Sequence, residues 1–238
     1  MSRREVCTRI RVAAGRRSGG ARKSPYDKRV TALAPLAAEI LDFWFVPREG
    51  EAAADDAQTI PSAHGRTRVE RGAWFRKDDT FDREIRERFG TALAAGIAGA
   101  FGEWCATPQG SLARVVLLDQ FTRNAFRGTP AAFAGDAGAL ATAEDAIGRG
   151  FDARLEAHER WFLYMPFQHS ELLAMQERAV ELFAALGAQT GLTGPLRYAE
   201  RHRDIVRRFG RFPHRNEILG RTSTAEELVF LTQPGSRF

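Results

Sequence analysis

The chain has 238 residues, of which 44% are hydrophobic and 27% are charged, as is ordinary for a soluble globular protein of one large or two small domains. Its two cysteines, Cys7 and Cys105, are too few for a disulfide-stapled scaffold or a four-cysteine zinc site. The net charge of +5 is uneven, because residues 1–30 carry a net +8 and the other 208 residues a net −3. A basic folded surface for nucleic acid is therefore not expected, and no apolar run is long enough to suggest a membrane partner.

Residues 1–30 are predicted to be a disordered basic tail, because they are rich in arginine and lack apolar periodicity. An arginine-rich, acid-poor start is also typical of an organelle transit peptide or a nucleic-acid-binding arm, and a start codon assigned too early would give the same pattern. We expect a solvated tail without a role in the fold. Since a secretory apolar core is missing from it, we expect a cytoplasmic protein.

Residues 31–238 are predicted to form a single all-α domain of about eight to ten helices in antiparallel pairs. Apolar residues at three- and four-residue steps from Leu33 to Trp44 indicate the first helix, which Pro47 ends. Residues 48–72 are polar and alanine-rich, which favours a mobile loop. Alternation with a period of two is absent, so no hairpin is expected.

Apolar spacing, capping residues and glycine stops predict the later helices. They cover residues 80–104, 112–121, 136–147, 152–161, 166–186, 196–209, 213–219 and 224–233. The helix at 112–121 contains an apolar run at 115–118 and is expected to be central and buried. Asp136 is the expected cap of its helix, and Pro166 is expected at the first position of the long helix that follows.

Residues 119–128 form the first of three stretches that carry more polar chemistry than a helical core needs. Asp119 and Arg123 are four residues apart, so an ion pair along one helix face is one interpretation. The alternative is that Arg123 or Arg127, beside Asn124, reaches into a cleft and binds an anion through its guanidinium fork.

Residues 162–171 form the second stretch and place His169 in the first turn of the predicted helix 166–186. The helix dipole disfavours an imidazolium ion there, so a neutral histidine is expected. It is either a hydrogen-bonded core residue or a candidate general base. Glu171 lies two residues on, which is not a helical spacing for metal ligands, and no metal site is predicted.

The third stretch, residues 197–221, has eight arginines against three carboxylates, so some of the arginines must find partners elsewhere in the chain. His202 lies on an apolar stripe, and we expect it to be buried near His169. Pro213 places His214, Arg215 and Asn216 in the opening turn of a short helix, where backbone N–H groups are unpaired. That combination is a candidate site for a carboxylate or phosphate.

Several segments also resemble, in order, the uncharacterised bacterial family catalogued as domain of unknown function 924: ILDFWF, LLDQFTRNAFRG, FLYMPFQHSE, RFGRFPHRN, STAEELVFL and PGSRF. The resemblance covers about residues 36–238 and implies a tetratricopeptide-like α-α superhelix, but no reaction, because the family has no agreed activity. The chain has Thr122, Gln168 and Leu172 where the family pattern has Pro, Glu and Asp. The loss of two acidic groups beside His169 weakens a catalytic or metal-binding role for carboxylates there.

Three functions remain open at this point. The first is a polar cleft that binds an anionic small molecule, a phosphate or a carboxylate, and that could be catalytic through His169, His214 or Asp119. Its expected ligand-binding residues are Arg123, Asn124, Arg127, His169, His214, Arg215 and Asn216. The second is a tetratricopeptide-like scaffold that clamps an acidic peptide or a C-terminal carboxylate. The third is a buried polar network that specifies helix packing. No cofactor and no oligomeric state follow from the sequence.

Overall fold

The computed structural model describes residues 33–48, 59–61, 67–69 and 71–237. The prediction for the tail at residues 1–30 lies outside the described residues, as does most of the predicted loop at 48–72. The described helices are α1 Pro35–Phe45, α2 Asp79–Ile97, α3 Pro108–Val115, α4 Thr122–Ala125, α5 Asp136–Gly148, α6 Ala157–His169, α7 Leu173–Thr190, α8 Gly194–Phe209 and α9 Ala225–Leu231. None of them is long and apolar enough to cross a membrane.

The all-α prediction is confirmed, with helices packed against one another throughout the described chain. Two three-residue strands, β1 Thr59–Pro61 and β2 Thr67–Val69, pair antiparallel with Thr59 opposite Val69. The expectation that no hairpin forms is wrong at this one place, because three paired residues are too few to show an alternating pattern. The tetratricopeptide-like stacking that the resemblance implies stays a prediction.

The core is aromatic around the end of α1. Trp44 is fully buried and contacts the rings of Trp74, Phe121 and Phe162, with Phe162 edge-on at 5.4 Å between ring centroids. Edge-to-face and offset pairs of this kind add to the free energy gained by burying the rings. The aromatic cluster therefore fixes how α1, the π-helical turn after α3 and α6 pack together.

The predicted central helix is buried but not uniformly α-helical. Residues 115–118 are at most 1% exposed, as expected. The chain runs as α3 to Val115 and as a π-helical turn over Val116–Phe121, and then continues as α4. Turns of this type are rare and often occur at functional sites. Here the turn carries Asp119.

The helix predicted over residues 166–186 is in fact two helices. A capping box between Glu156 and Glu159 starts α6 at Ala157, nine residues before Pro166, which lies inside the helix. His169 is the last residue of α6, and α7 begins at Leu173. The dipole argument for a neutral His169 is therefore wrong, since the end of a helix favours a cation.

The chain returns to the end of α6 after α8. Gly210 ends α8 with a positive φ of 70°. The backbone N–H of Phe212 then donates a 2.8 Å hydrogen bond to the Glu171 carboxylate. This contact brings the 3-10 turn Pro213–Arg215 beside the polar end of α6.

Candidate functional site

A hydrogen-bonded pair, Asp119 and His169, lies at the centre of the polar region. Asp119 is fully buried on the π-helical turn. The Nδ1 atom of His169 lies 2.8 and 2.9 Å from the two carboxylate oxygens. Because a carboxylate only accepts, Nδ1 carries the hydrogen, and Nε2 is left with a lone pair. An imidazole held in this way is the form in which histidine acts as an acceptor or a general base.

Burial and neighbouring charge fix the protonation of both groups. Burial lowers the pKa of His169 below its ordinary value and Arg123 lowers it further, while Asp119 opposes the shift. Burial by itself would raise the pKa of Asp119, but the charges of Arg123 and His169 outweigh it and hold that pKa well below its usual value. At neutral pH the pair is a carboxylate and a neutral imidazole.

Asp136 joins the two polar segments that are most distant in the sequence. Arg123 donates through Nη1 to Oδ1 of Asp136 at 2.8 Å and through Nη2 to Oδ2 at 3.2 Å. The same Nη1 donates to the backbone oxygen of Asp119 at 2.7 Å. Arg215 approaches Asp136 from the other side, with Nη1 3.4 Å from Oδ2. Two guanidinium groups therefore face one carboxylate.

Arg215 is a buried cation with few hydrogen bonds. It is 7% exposed and lies between two rings, with Cζ 4.7 Å from the centroid of Phe133 and 4.6 Å from that of Phe212. Its Nε has no hydrogen-bond partner among the described residues. Burial, followed by repulsion from Arg123, lowers the pKa of Arg215 to about 10. The guanidinium remains charged at neutral pH, and it is poorly compensated.

Two further histidines lie against this group. The rings of His169 and His202 are 6.3 Å apart between centroids, and both residues are buried, which confirms the prediction of their proximity. His202 has Nδ1 2.7 Å from the backbone oxygen of Tyr198, and burial, with His169 next, lowers its pKa to about 3. Burial and the charge of Arg215 lower the pKa of His214 to about 4.

Asn124 and Arg127 belong to a separate cluster around Asp82. The amide of Asn124 donates to Oδ1 of Asp82 at 2.8 Å, and Arg127 binds the same carboxylate through Nε and Nη2 at 2.8 and 3.2 Å. An open cleft of about 390 Å³ lies beside this cluster and is lined by Lys77, Asp79, Asp82, Arg86, Arg127 and Gly128. The guanidinium fork of Arg127 is used by a carboxylate of the chain itself.

Asn216 belongs to a third cluster at the start of α9. Its amide nitrogen donates to Ser223 and to the Glu227 carboxylate, and its amide oxygen accepts from Nε of Arg221 at 3.0 Å. Arg211 binds Glu227 through two nitrogens at 2.7 and 2.8 Å. The seven residues expected to bind a ligand therefore divide among three places, and Arg123, His169, His214 and Arg215 stay together.

Sequence reasoning missed Asp136 and Phe133 as members of the site. Asp136 was expected to cap α5, but Gly135 occupies the cap position and the Asp136 carboxylate turns to the arginines. The excess of arginine over carboxylate in residues 197–221 was the signal that acids elsewhere had to be involved. Within the described part of the chain, no group of three His, Cys, Asp or Glu residues could hold a metal ion.

The chain belongs to the family described as bacterial protein of unknown function (DUF924), whose model matches residues 40–235. Among solved structures it is similar to the protein of unknown function ATU0120 from Agrobacterium tumefaciens. The two are 41% identical with a TM-score of 0.66, over 82% of this chain and 96% of the other. No curated protein matches the chain.

Proposed function

We propose that the chain binds an anionic small molecule, a phosphate or a carboxylate, at Arg215, with Arg123 and His169 beside it. The observation that carries the proposal is the state of the Arg215 guanidinium. It is buried, its Nε is unpaired among the described residues, and its contact with Asp136 is long at 3.4 Å. Buried polar groups are nearly always hydrogen-bonded, so a bound ligand that accepts from this guanidinium would supply the missing partner.

The charges around Arg215 favour an anion as that partner. Asp119 already accepts from His169 and Gln120, and Asp136 already holds the fork of Arg123. A phosphate or carboxylate at Arg215 would receive charge-assisted hydrogen bonds, which are about twice as strong as neutral ones. It would also relieve the repulsion between Arg215 and Arg123 that lowers the pKa of Arg215.

Arg123 and Asp136 are the more exposed groups of the proposed site. The side chains of Arg123 and Asp136 are 19% and 25% exposed, whereas those of His169 and Arg215 are 10% and 8% exposed. The proposal accordingly has a small anion reach Arg215 by way of the partly exposed Arg123 and Asp136.

A structural network is the better interpretation for the other two clusters. Asp82 is bound by Asn124 and Arg127, and Glu227 is bound by Arg211 and Asn216. Each of these carboxylates has its partners within the chain, and such satisfied networks specify packing. The binding proposal accordingly leaves out Asn124, Arg127 and Asn216.

Thermal unfolding in the presence of inorganic phosphate tests the proposal. A ligand at 100 times its Kd adds about 2.7 kcal/mol of stability, and each kcal/mol raises the Tm by roughly 2–4 °C in a protein of this size. We expect such a rise in the wild type and its loss in Arg215→Met, which keeps an apolar stem between the two phenylalanine rings.

Arg207→Ala is the matched control, because Arg207 is an exposed arginine of the same stretch, and its ion pairs within the described residues are with the surface carboxylates of Glu177 and Asp204. It should keep the full response to phosphate. If phosphate and acetate leave the wild-type Tm unchanged, or if Arg215→Met responds as the wild type does, the binding proposal is wrong.

A further inference from the structure

We propose that the ligand of this site is an oxyanion that also carries a hydroxyl hydrogen, such as hydrogen phosphate or a hydroxy acid, and that His169 accepts that hydrogen. The inference rests on the proposed function, because it defines the chemical class of the anion held by Arg215. It follows from the hydrogen-bond donors of Arg215 and from the acceptor that His169 presents.

His169 presents an acceptor in a region otherwise rich in donors. Its Nδ1 is used by the Asp119 carboxylate, at 2.8 and 2.9 Å from the two oxygens. Within the described part of the chain, no hydrogen bond reaches its Nε2. With the hydrogen fixed on Nδ1, Nε2 can only accept.

The surroundings keep the imidazole in this acceptor form. Asp119 faces His169 from the π-helical turn, Arg123 from α4 and Asp136 from α5, while His202 faces it from α8. Arg215 approaches from the turn after α8, where the charge of Asp119 partly opposes the lowering of the Arg215 pKa. Burial and Arg123 outweigh the two carboxylates, and the pKa of His169 falls below its ordinary value.

An anion that bridges the two groups must therefore match two opposite demands. At Arg215 it has to accept, through oxygens that receive the guanidinium hydrogens. At His169 it has to donate. Hydrogen phosphate does both, whereas sulfate at neutral pH has only acceptor oxygens and would set a lone pair against Nε2. An unmet buried polar group weakens binding by about tenfold or more.

Calorimetric titration at pH 7 with two pairs of ligands tests the inference. The first pair is phosphate against sulfate. The second pair is lactate against propionate, two anions that carry the same charge and differ by one hydroxyl. We expect the wild type to bind phosphate about tenfold or more tightly than sulfate, and to prefer lactate over propionate in the same direction. A preference in only one pair identifies whether the hydroxyl belongs to a phosphate or to a hydroxy acid.

His169→Gln should lose the preference between the members of each pair, because phosphate and lactate should fall to about the affinity of sulfate and propionate. The control is His158→Gln, at the opposite end of α6 beside Trp74 and Trp161, and it should keep the wild-type preference. Nitrogen-15 spectra of wild-type histidine provide a second measurement that does not depend on a variant that folds. The Nε2 resonance of His169 should be that of an unprotonated nitrogen and should move with phosphate but not with sulfate.

The outcomes separate the two proposals. If the wild type prefers neither phosphate over sulfate nor lactate over propionate, the hydroxyl inference is wrong and the anion site stands. If none of the four anions binds, the proposed function fails and the inference fails with it. If the preference survives in His169→Gln, or if the His169 Nε2 is protonated in the free protein, His169 is not the acceptor.

Discussion

Individual buried charges in this protein differ in how completely they are paired. Glu227 is 2% exposed and binds Arg211, Asn216 and the backbone N–H of Thr224, so that these bonds, with Arg211 first, lower its pKa to about 2. Arg215 is buried to a similar degree, and its one contact with a carboxylate of the described residues is long, at 3.4 Å. Because burial of an unpaired charge costs several kcal/mol, the residue with the poorest pairing is where a ligand has the most to contribute.

The stability of the protein should fall in mild acid because of its buried histidines. His202 has a folded pKa of about 3 against an ordinary value of 6.5. The unfolded chain therefore binds the proton first as the pH falls, so the contribution is complete above about pH 6.5 and is lost towards pH 3. At about 1.4 kcal/mol per pH unit, His202 alone should lower the free energy of unfolding by about 2 kcal/mol between pH 6.5 and 5.

Urea unfolding at pH 7, 6 and 5 measures this slope, and His202→Gln should make it shallower. Glu171 and Glu227 also have lowered pKa values, from an ordinary value of 4.5, but their contribution is lost only when the pH falls below that value. Histidines therefore dominate above pH 5. Equal slopes for the wild type and His202→Gln would show that His202 is not buried in its neutral form.

Among the elements, α6 and the π-helical turn show where local patterns suffice and where they do not. The apolar run at 115–118 predicts burial because those residues leave no face for solvent, and they are buried. Pro166 predicts a helix start by a local rule, but the capping box of Glu156 and Glu159 begins the helix upstream and the proline is accommodated inside. The complete capping box therefore determines where this helix begins, and the preference of one proline for a first helical position does not.

In the candidate site too, some features follow from local sequence patterns and others do not. Its histidines could be predicted from apolar stripes, because each stripe indicates an inward face, and two inward faces share one core. The contact between Arg215 and Asp136 could not be predicted. The two residues are 79 positions apart, and the local sequence around one of them gives no information about the other. Asn124, Arg127 and Asn216 bind carboxylates of their own chain, which composition alone does not distinguish from binding a ligand.

The contact between α5 and the π-helical turn should be intolerant of a single methyl group. A Cβ added at Gly135 would lie 2.1 Å from the backbone oxygen of Leu118 and 2.8 Å from its carbonyl carbon. The φ of Gly135 is −89°, so the obstacle is this clash and not the backbone conformation. Because the obstructing atoms are backbone, Gly135→Ala should destabilise the protein by about 3 kcal/mol.

Gly138→Ala is the matched control on the same helix. Its added Cβ would meet only the Cδ1 of Leu118 at 3.1 Å, which a side chain can avoid by a small movement. The gain of about 1 kcal/mol in helix propensity offsets that adjustment, so the change in stability should stay within about 1 kcal/mol. Denaturant midpoints of the two variants decide the matter, and equal losses would mean that α5 does not approach the turn so closely.

Across the whole molecule, the candidate site lies between a large core and a small one. The large core includes α1 to α7, while Ile205, Val206 and Phe212 form a second cluster packed with Phe209 and Phe230. Glu171 links the two through Arg221 and the backbone of Phe212. Arg215 comes from the segment of the small cluster and Asp136 from the start of α5, whose Ala143 and Ala146 belong to the large core, so an anion between them would also hold the two parts together.

The basic segment at residues 1–30 is predicted to contribute nothing to this assembly. It has a net charge of +8 and no apolar periodicity, so it offers little surface whose burial could stabilise a fold. Deletion of residues 1–30 should change the Tm by no more than about 2 °C.

The same truncation separates two sources of phosphate binding, because a +8 segment attracts phosphate without any site. Scanning calorimetry with and without phosphate should show the same ligand-induced rise in both forms, since Arg215 and Arg123 remain. A fall in Tm of about 10 °C would show that the segment packs on the helices. Loss of the phosphate effect upon truncation would assign that effect to the segment and not to Arg215.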